Sequence, residues 1–327
     1  MNTASLATPL AWLKDSFRYI GLYFALAAIW VYFAANSQYF FTKINVLTIL
    51  LQASNVGIIA AGLTVVMIAA EIDLSIGSVE ALCGAVAAVL IIQTGVPVTL
   101  GIILALGVAV LAGAISGLLT ARFQMLSFIS TLAMLGIAQG AAFLLTNGKA
   151  VYGFPSSFGY IGNSKVGGVS MAVIIAVVVF IALHLMLTRT QLGRHIFAVG
   201  GNAEAAAYAG ISVRRIKLIT LMISGFTAGI GGLILSSRLD AGNGLFGASD
   251  LLNAVAAVVI GGTSLTGGVG SLAGTATGVL IVSTIANGMV LLNVAAFWQQ
   301  IVVGTIIIAS VLLDQAARNV RHLGSSL

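Results

Sequence analysis

Uninterrupted apolar runs occupy most of the chain, and glycine, asparagine, proline or charged residues separate one run from the next. A helix needs about 20 predominantly apolar residues to cross a bilayer. On this criterion the pattern predicts ten spans, at approximately 19–35, 44–70, 76–93, 98–120, 126–146, 170–188, 216–237, 250–262, 270–292 and 297–313. We therefore expect an all-α, polytopic membrane helix bundle of about ten transmembrane helices.

The eighth run is short for a full crossing, and it ends in a glycine-rich stretch that continues from Gly261 to Gly270. Such backbone at membrane depth must be buried in protein or line a wet cavity. The three prolines, Pro9, Pro97 and Pro155, all fall in predicted span ends or loops. A break inside a span is therefore expected at glycine and not at proline.

Charged residues are scarce, and the 63 positions between Asp250 and Asp314 contain none. The whole chain is 60% hydrophobic and 7% charged with a mean hydropathy of +1.14, whereas a soluble domain carries about 25% charged residues. Within its 327 residues no hydrophilic insertion exceeds a loop. We expect one membrane domain over residues 1–327, with no soluble catalytic domain.

The net charge of +6 is first tested as a topology signal, because basic residues concentrate on the cytoplasmic side of membrane proteins. With a cytoplasmic N-terminus, ten crossings leave only four basic residues outside, namely Lys43, Lys149, Lys165 and Arg238. The other ten lie inside: Lys14, Arg18, Arg122, Arg189, Arg194, Arg214, Arg215, Lys217, Arg318 and Arg321. The pattern predicts that both termini are cytoplasmic, and it gives no reason to expect a nucleic-acid partner.

Glycines spaced four apart let neighbouring helix backbones approach closely. Four such pairs fall inside predicted spans: Gly113/Gly117, Gly136/Gly140, Gly225/Gly229 and Gly274/Gly278. Because 39 glycines also produce this spacing by chance, the pairs predict only a tightly packed bundle.

The longest predicted cytoplasmic connection, 189–215, contains the signals of a short helix. Asn202 can cap it, Glu204 lies in its positively polarised first turn, residues 205–209 are mostly alanine, and Gly210 ends it. An isolated helix this short is marginal, so it needs a surface to pack on. From the residues alone, that surface is either the protein's own cytoplasmic face or a partner.

The segment Gly200-Gly201-Asn202-x-Glu204-Ala205-Ala206-x-x-x-Gly210-Ile211 resembles the coupling-helix loop of permeases from ATP-binding-cassette (ABC) importers of the ribose/xylose/allose type. Three further segments resemble those permeases in the same order along the chain: Ile72-Asp73-Leu74-Ser75-Ile76-Gly77-Ser78, Thr146-Asn147-Gly148-Lys149, and Gly261-Gly262-Thr263-Ser264-Leu265-x-Gly267-Gly268-x-Gly270. The resemblance therefore covers nearly the whole chain.

This resemblance implies a permease of the bacterial cytoplasmic (inner) membrane that works in an assembly. The implied partners are a second permease copy (identical or paralogous), a cytoplasmic ABC ATPase subunit and a periplasmic sugar-binding protein. The implied ATPase-coupling residues are Gly201, Asn202, Glu204, Ala205, Ala206, Tyr208 and Gly210. In such systems the binding protein sets most of the specificity, so the identity of the sugar is not expected in this sequence.

The sequence contains no Gly-x-x-x-x-Gly-Lys-Ser/Thr phosphate loop, since Ala150 follows Gly148-Lys149. ATP and magnesium are accordingly expected on the partner ATPase, with no cofactor in this chain. His184 and His195 have no Cys, Asp or Glu at metal spacing, and no nucleophile, base and acid fall on one face. We expect a transporter subunit, not an enzyme and not a metal site.

Three acids, Glu71, Asp73 and Glu80, cluster around the start of the third span. Acids are costly inside a bilayer and usually serve a function there. The topology puts Glu71 and Asp73 near the cytoplasmic end, where Asp73 or Ser75 is most simply the cap of the third span. Glu80 lies deeper. An alternative function uses these three acids as cation or proton sites of an ion-coupled secondary transporter.

Neutral amides can meet the hydrogen-bonding needs of a sugar at lower insertion cost than charges. Gln52 and Asn55 share one helix face. Together with other polar residues in or near spans they define a candidate translocation path: Gln52, Asn55, Asp73, Glu80, Asn253, Asn287 and Gln300. Most amides in such positions form helix-to-helix hydrogen bonds, so the path predicts no particular pocket.

The predicted external loop 147–169 is the largest outward surface and carries Tyr152, Phe154, Phe158 and Tyr160. Two readings are equally open from sequence. The loop is either a resting surface for a binding protein or an aromatic belt at the membrane interface.

Overall fold

Thirteen helices make up most of the computed structural model, which describes residues 9–295, 297–309 and 312, with side chains from residue 20 onward. In chain order they are α1 (Pro9–Asn36), α2 (Lys43–Ile68), α3 (Ile76–Ala88, continued by a π-helical turn Val89–Gln93), α4 (Val98–Arg122), α5 (Ser127–Thr146), α6 (Ser156–Asn163), α7 (Met171–Arg189), α8 (Gln191–Gly201), α9 (Ala203–Tyr208), α10 (Val213–Leu239), α11 (Asp250–Ile260), α12 (Leu272–Leu291) and α13 (Phe297–Ala309).

The described residues also form four two-residue strands: β1 (Val151–Tyr152), β2 (Lys165–Val166), β3 (Val169–Ser170) and β4 (Ala241–Gly242). They form two antiparallel pairs, β1 with β4 and β2 with β3. The pairing of β1 with β4 brings the connection after α5 against the connection after α10.

In the described part of the chain, seven helical segments are long and apolar enough to cross a membrane: α2, α3 with its π turn, α4, α5, α7, α10 and α12. Three shorter apolar helices are the Ile20–Asn36 part of α1, α11 and α13. Each of the ten predicted apolar spans corresponds to one of these ten segments. The polytopic all-α architecture is confirmed, whereas the number of full crossings and the side of the termini stay predictions.

Helix α2 lies at the centre of the bundle. Within its most apolar stretch 83% of the residues are buried, compared with 17% in α7 at the periphery. It packs against α7, α10, α11 and α12. A buried helix can carry polar side chains only if the neighbouring helices supply partners, which makes α2 the natural place to look for a polar site.

Close helix contacts use three of the four predicted glycine pairs. A Cβ added at Gly113 would overlap the carbonyl oxygen of Leu221, and one added at Gly225 would overlap that of Ala109, so α4 and α10 meet backbone to backbone. Gly274 and Gly278 likewise meet α11. By contrast, a Cβ at Gly136 or Gly140 would have no described atom within 4 Å, so that face of α5 is unpartnered among the described residues.

The bundle has two ends, which we name after their elements. At the α9 end, the amide of Gly268 donates to the carbonyl of Ile68 at 2.9 Å, next to Gly200 of α8. At the β end, Val151 is paired with Gly242 and Tyr152 with Ala241. Helix α2 ends at the α9 end, and α10 begins there and ends at the β end.

The segment that follows α10 is longer and less regular than the predicted span 250–262. An irregular segment, 240–249, first runs back along α3, since a Cβ at Gly242 would lie 2.6 Å from the carbonyl oxygen of Gly84, and one at Gly247 would lie 2.5 Å from that of Gly77. Helix α11 starts only after this segment. Glycine allows the close approach, and Gly247 also has a φ of +78° that other residues rarely adopt.

The 189–215 connection holds two helices, where the sequence predicted one. The predicted helix is present as α9, but α8 was missed because Gly193, Gly200 and Gly201 disfavour a helix. Gly193 and Gly200 pack so closely on the carbonyls of Leu187 and Ile68 that no larger residue would fit. Tertiary packing therefore outweighs local propensity at α8.

The 147–169 connection is folded against the bundle and is not simply an outward loop. Phe158 of α6 is fully buried and stacks on Phe154 with ring centroids 3.9 Å apart. Tyr152 and Tyr160 remain outward, each 69% exposed. The outward aromatic surface predicted for this loop is therefore corrected for Phe158, which belongs to the protein interior.

Candidate translocation site

A polar cavity of about 220 Å³ lies where α2, α10, α11, α12 and α13 meet. Its polar lining side chains are Gln52, Asn55, Arg238, Asp250, Asn253, Ser283 and Gln299, among apolar neighbours such as Val56 and Val282. Neutral amides dominate this set. They offer both donors and acceptors, the chemistry that recognises hydroxyl-rich solutes.

Asn55 joins three helices at the edge of this cavity. Its Nδ2 donates to Glu80 Oε1 of α3 and to Asp250 Oδ2 of α11, both at 2.9 Å. Asn55 is 3% exposed and Glu80 is fully buried. Since Asn55 lies halfway along α2, the junction sits in the middle of the bundle.

The start of α11 is electrostatically favourable for Asp250. This residue occupies the first turn, where the unpaired backbone amides leave a partial positive charge. Arg238 lies in the last turn of α10, where the partial charge is negative. Each helix end therefore holds the charge that its own dipole favours. The two opposite charges also line the same cavity.

Asp73 lies apart from the cavity and ties the α2–α3 connection to α10. Its Oδ1 accepts from the backbone amide and hydroxyl of Ser75 at 2.8 and 2.6 Å, and its Oδ2 accepts from the hydroxyl of Ser224 at 2.6 Å. Ser75 occupies the N-cap position of α3 but makes no side-chain capping bond, because its hydroxyl donates to Asp73. Of the two predicted caps, Ser75 is therefore wrong, whereas Asp73 accepts the backbone amide of Ser75 at the start of α3 and also binds Ser224 of α10.

Glu71 forms a salt bridge with Lys217 at the α9 end. The pair lines a second cavity, of about 560 Å³, together with Arg214, Gln124 and Ser127. The three acids near the start of α3 thus have three different partners. They do not converge on one ion site within the described part of the chain.

The structure brings together some residues of the candidate translocation path and separates others. Gln52, Asn55 and Asn253 line the cavity, and Glu80 joins them through Asn55. Asn287 is buried in α12 outside this lining, and Gln300 is exposed while its neighbour Gln299 faces the cavity. Asp73 lies elsewhere, as described above.

Sequence reasoning missed Asp250 and Arg238, which it placed at the membrane edges. The sequence feature that could have pointed to them is the glycine-rich stretch between the two opposite charges. It has Gly242, Gly244 and Gly247 within the thirteen residues from 238 to 250. Such a stretch can fold back into the bundle and carry both charges to one cavity wall.

The predicted coupling residues lie on and around α9. Asn202 Oδ1 accepts from the backbone amide of Ala205 at 2.9 Å, and Gly210 has a φ of +81° just beyond the helix. Ala206 is buried among apolar side chains that include Val199 and Ile216. Tyr208 is 86% exposed. The helix is therefore anchored by Ala206 and presents an aromatic ring outward, with Gly201, Glu204 and Ala205 also exposed.

Comparison with known proteins identifies the kind of protein that carries these features. Residues 45–311 match a family described as the permease component of the branched-chain amino acid transport system. This chain belongs to that family of permeases. The described helices long enough to cross a bilayer agree with a multi-pass protein of the bacterial inner membrane.

Three relatives show the branch of the family to which the permease is similar. It is 40% identical over 309 residues to the ribose import permease protein of Escherichia coli strain K12, covering 93% of this chain and 94% of the relative. It is 37% identical to the L-arabinose ABC transporter permease protein of Azospirillum brasilense, covering 86% and 83%. The xylose transport system permease protein of Escherichia coli strain K12 is 35% identical, covering 90% and 91%. No solved structure matches.

Proposed function

We propose that this permease is the transmembrane subunit of a binding-protein-dependent ABC importer that carries a monosaccharide, a pentose or hexose, into the cytoplasm. The observation that carries the proposal is the 40% identity over 93% of the chain to a ribose import permease. Relatives named for arabinose and xylose support a sugar over a branched-chain amino acid.

The polar cavity supports a sugar as the solute. Gln52, Asn253 and Gln299 supply neutral amides, which suit hydroxyl groups. Arg238 and Asp250 also line the cavity, so the choice of a sugar over an amino acid rests on the named relatives.

Helix α9 is the proposed contact for a separate ATPase subunit. Its exposed Tyr208 and Glu204 form a small projecting surface, while Ala206 fixes the helix to the permease. Movement of the ATPase would then reach α8 and α10 as a rigid-body displacement. In this proposal the α9 end and both termini are cytoplasmic, and ATP and magnesium are bound by the partner, not by this chain.

The remaining partners are assigned by the same reasoning. A periplasmic sugar-binding protein would dock at the β end, where Tyr152 and Tyr160 are exposed. A second permease copy, identical or paralogous, would complete the membrane part of the assembly. The unpartnered face of α5 around Gly136 and Gly140 is available for such a contact.

The ion-coupled alternative is not favoured. It requires Glu71, Asp73 and Glu80 to share a transport site, but each has its own partner: Lys217, Ser224 and Asn55, respectively. The relatives named as a ribose import permease and as an L-arabinose ABC transporter permease also point away from it.

Reconstitution in vesicles tests the proposal directly. The permease is reconstituted with and without its ATPase subunit, the binding protein is added outside, and uptake of labelled ribose, arabinose, xylose and leucine is measured. We expect sugar uptake only with the ATPase and internal ATP. Uptake by the permease alone, driven by a proton or sodium gradient, would overturn the ATPase coupling, and uptake of leucine alone would overturn the solute class.

A further inference from the structure

Two orphaned oxygen atoms lie on the two partners of a single hydrogen bond. Asn55 Nδ2 donates to Glu80 Oε1 at 2.9 Å. Asn55 Oδ1 and Glu80 Oε2 are both buried, and neither has a hydrogen-bond partner within the described residues. Buried polar atoms are nearly always paired, so two orphans on adjoining groups need a common explanation.

Reversing the Asn55 amide does not remove the problem. Its nitrogen faces two carboxylate oxygens, Glu80 Oε1 and Asp250 Oδ2, each at 2.9 Å. Exchanging nitrogen for oxygen would place an acceptor against two acceptors and lose both bonds. The orientation of Asn55 is therefore fixed, and its oxygen must find a donor elsewhere.

One proton satisfies both orphans. We propose that Glu80 is protonated in the folded permease and that its Oε2–H donates to Asn55 Oδ1. The acid and the amide then form a ring of two hydrogen bonds, in which Asn55 Nδ2–H donates to Glu80 Oε1 and Glu80 Oε2–H donates back. The second Nδ2–H remains directed at Asp250.

The surrounding charges agree with this assignment. Asp250 and Glu80 approach the same amide nitrogen, and two carboxylates in one site cannot both be ionised cheaply. Arg238 shares the cavity wall with Asp250, whereas Glu80 lies behind Asn55 and does not line the cavity. The negative charge is thus placed on Asp250 and the proton on Glu80.

Among the described residues, the groups packed around Glu80 Oε2 offer it no hydrogen bond. A Cβ added at Gly247 would lie 2.6 Å from Glu80 Oε2, and one at Gly231 would lie 3.5 Å from Oε1. Backbone therefore closes the site from the 240–249 segment and from α10. The nearby thiol of Cys83 is also buried and carries no charge that could pair with a carboxylate.

If the proposed function is correct, the hydrogen-bonded ring of Asn55 and Glu80 also indicates which side chains of the polar cavity can contact the sugar. With the ring closed, both N–H groups and the oxygen of Asn55 are occupied, so Asn55 and Glu80 are positioning residues that hold α2, α3 and the start of α11 together. Gln52, one turn before Asn55, has an Oε1 atom without a partner among the described residues. Gln52 also lines the cavity, so it is the α2 amide that could bind a sugar hydroxyl once its buried Oε1 turns toward the cavity.

Infrared spectroscopy of the purified permease tests whether the carboxyl group of Glu80 is protonated. A buried carboxylic acid has a C=O stretching band, separate from the amide bands, that an ionised carboxylate lacks. The chain has three glutamates, and the other two are the salt-bridged Glu71 and the exposed Glu204. We expect glutamate labelled with ¹³C at the side-chain carboxyl to shift this band. A permease whose carboxylic acid band does not respond to the label would refute the proposal.

Two substitutions test the ring. In Glu80→Gln the side-chain amide can accept from Asn55 Nδ2 and donate to Asn55 Oδ1, so we expect an unchanged melting temperature and loss of the labelled band. Glu80→Leu fills similar space without these bonds and leaves the amide of Asn55 unpaired, so it should melt at a lower temperature than both the wild type and Glu80→Gln. Glu71→Gln is the matched control: it should keep the band but lower the melting temperature.

The outcomes separate this inference from the proposed function. The infrared band and the melting temperatures do not depend on the transported solute. A labelled band in a permease that carries no sugar would leave the proton in place and overturn only the function. A destabilised Glu80→Gln permease, or a wild-type permease lacking the labelled band, would show that Glu80 is ionised.

Discussion

Truncation of Tyr208 to alanine should separate folding from ATPase coupling. Tyr208 is 86% exposed on α9, in the permease taken alone. Exposed substitutions away from special contacts change stability by less than about 0.5 kcal/mol. We therefore expect the Tyr208→Ala permease to fold, insert and melt as the wild type does.

The complex between the permease and its ATPase should be weakened by the same substitution. An aromatic side chain of this kind buries roughly 150 Å² or more, nearly all of which is available at Tyr208. At about 25 cal/mol per Å² this is worth about 3 kcal/mol, from which ordering the side chain subtracts roughly 1 kcal/mol. A net loss of about 2 kcal/mol corresponds to an approximately 30-fold weaker association with the ATPase.

The assay compares ATPase binding to permease in detergent or nanodiscs with ATP-driven sugar uptake in vesicles. Tyr160→Ala is the matched control, because Tyr160 is 69% exposed but lies on α6 at the opposite end of the bundle. The control should bind the ATPase normally. Wild-type affinity and uptake in Tyr208→Ala would refute the assignment of α9 as the coupling element.

Two further predictions concern stability. Gly247→Ala would place a Cβ against the carbonyl of Gly77 at a φ of +78°, so we expect a lower melting temperature, with at least about 1–2 kcal/mol lost from the left-handed backbone alone. Gly107→Ala, with no described atom within 4 Å of the new Cβ, should melt at or above the wild-type temperature; equal effects of the two would contradict the path of the 240–249 segment. Lys217→Met leaves the buried carboxylate of Glu71 unpaired and should cost about 3 kcal/mol of unfolding free energy. Adding Glu71→Gln to that variant should recover most of the loss, and no recovery would contradict a direct pairing.

Much of the fold was predictable from sequence because lipid imposes a strict rule on backbone. Every backbone polar group in hydrocarbon must be paired internally, so long apolar runs can only be helices, and each of the ten predicted runs matches one. The segment 240–249 escaped the prediction because its path depends on contacts with α3. Nothing local in Gly242 or Gly247 says which helix they will approach.

The polar site was less predictable, since it depends on which side chains converge. Gln52 and Asn55 share a helix face by simple periodicity, and both reach the cavity. Gln299 and Gln300 are both glutamines in the same helix, yet only Gln299 faces the cavity. The packing of α13 sets its rotation about its own axis, and the sequence does not reveal that packing. Asp250 was treated as the boundary of a neutral tract. Its role became visible only when α11 was seen to begin beside Asn55.

The 240–270 stretch also explains how distant ends of the permease can act together. At the β end it is paired with β1, as Gly242 with Val151. At the cavity, Asp250 is bonded to Asn55, and at the α9 end Gly268 is bonded to Ile68 beside α8. One short segment of chain therefore contacts the β end, the polar site and the support of α9. Because α11 is a helix bounded by glycine-rich backbone, we expect it to shift as a unit when α8 moves, with the Asn55–Asp250 hydrogen bond opening or closing the cavity wall.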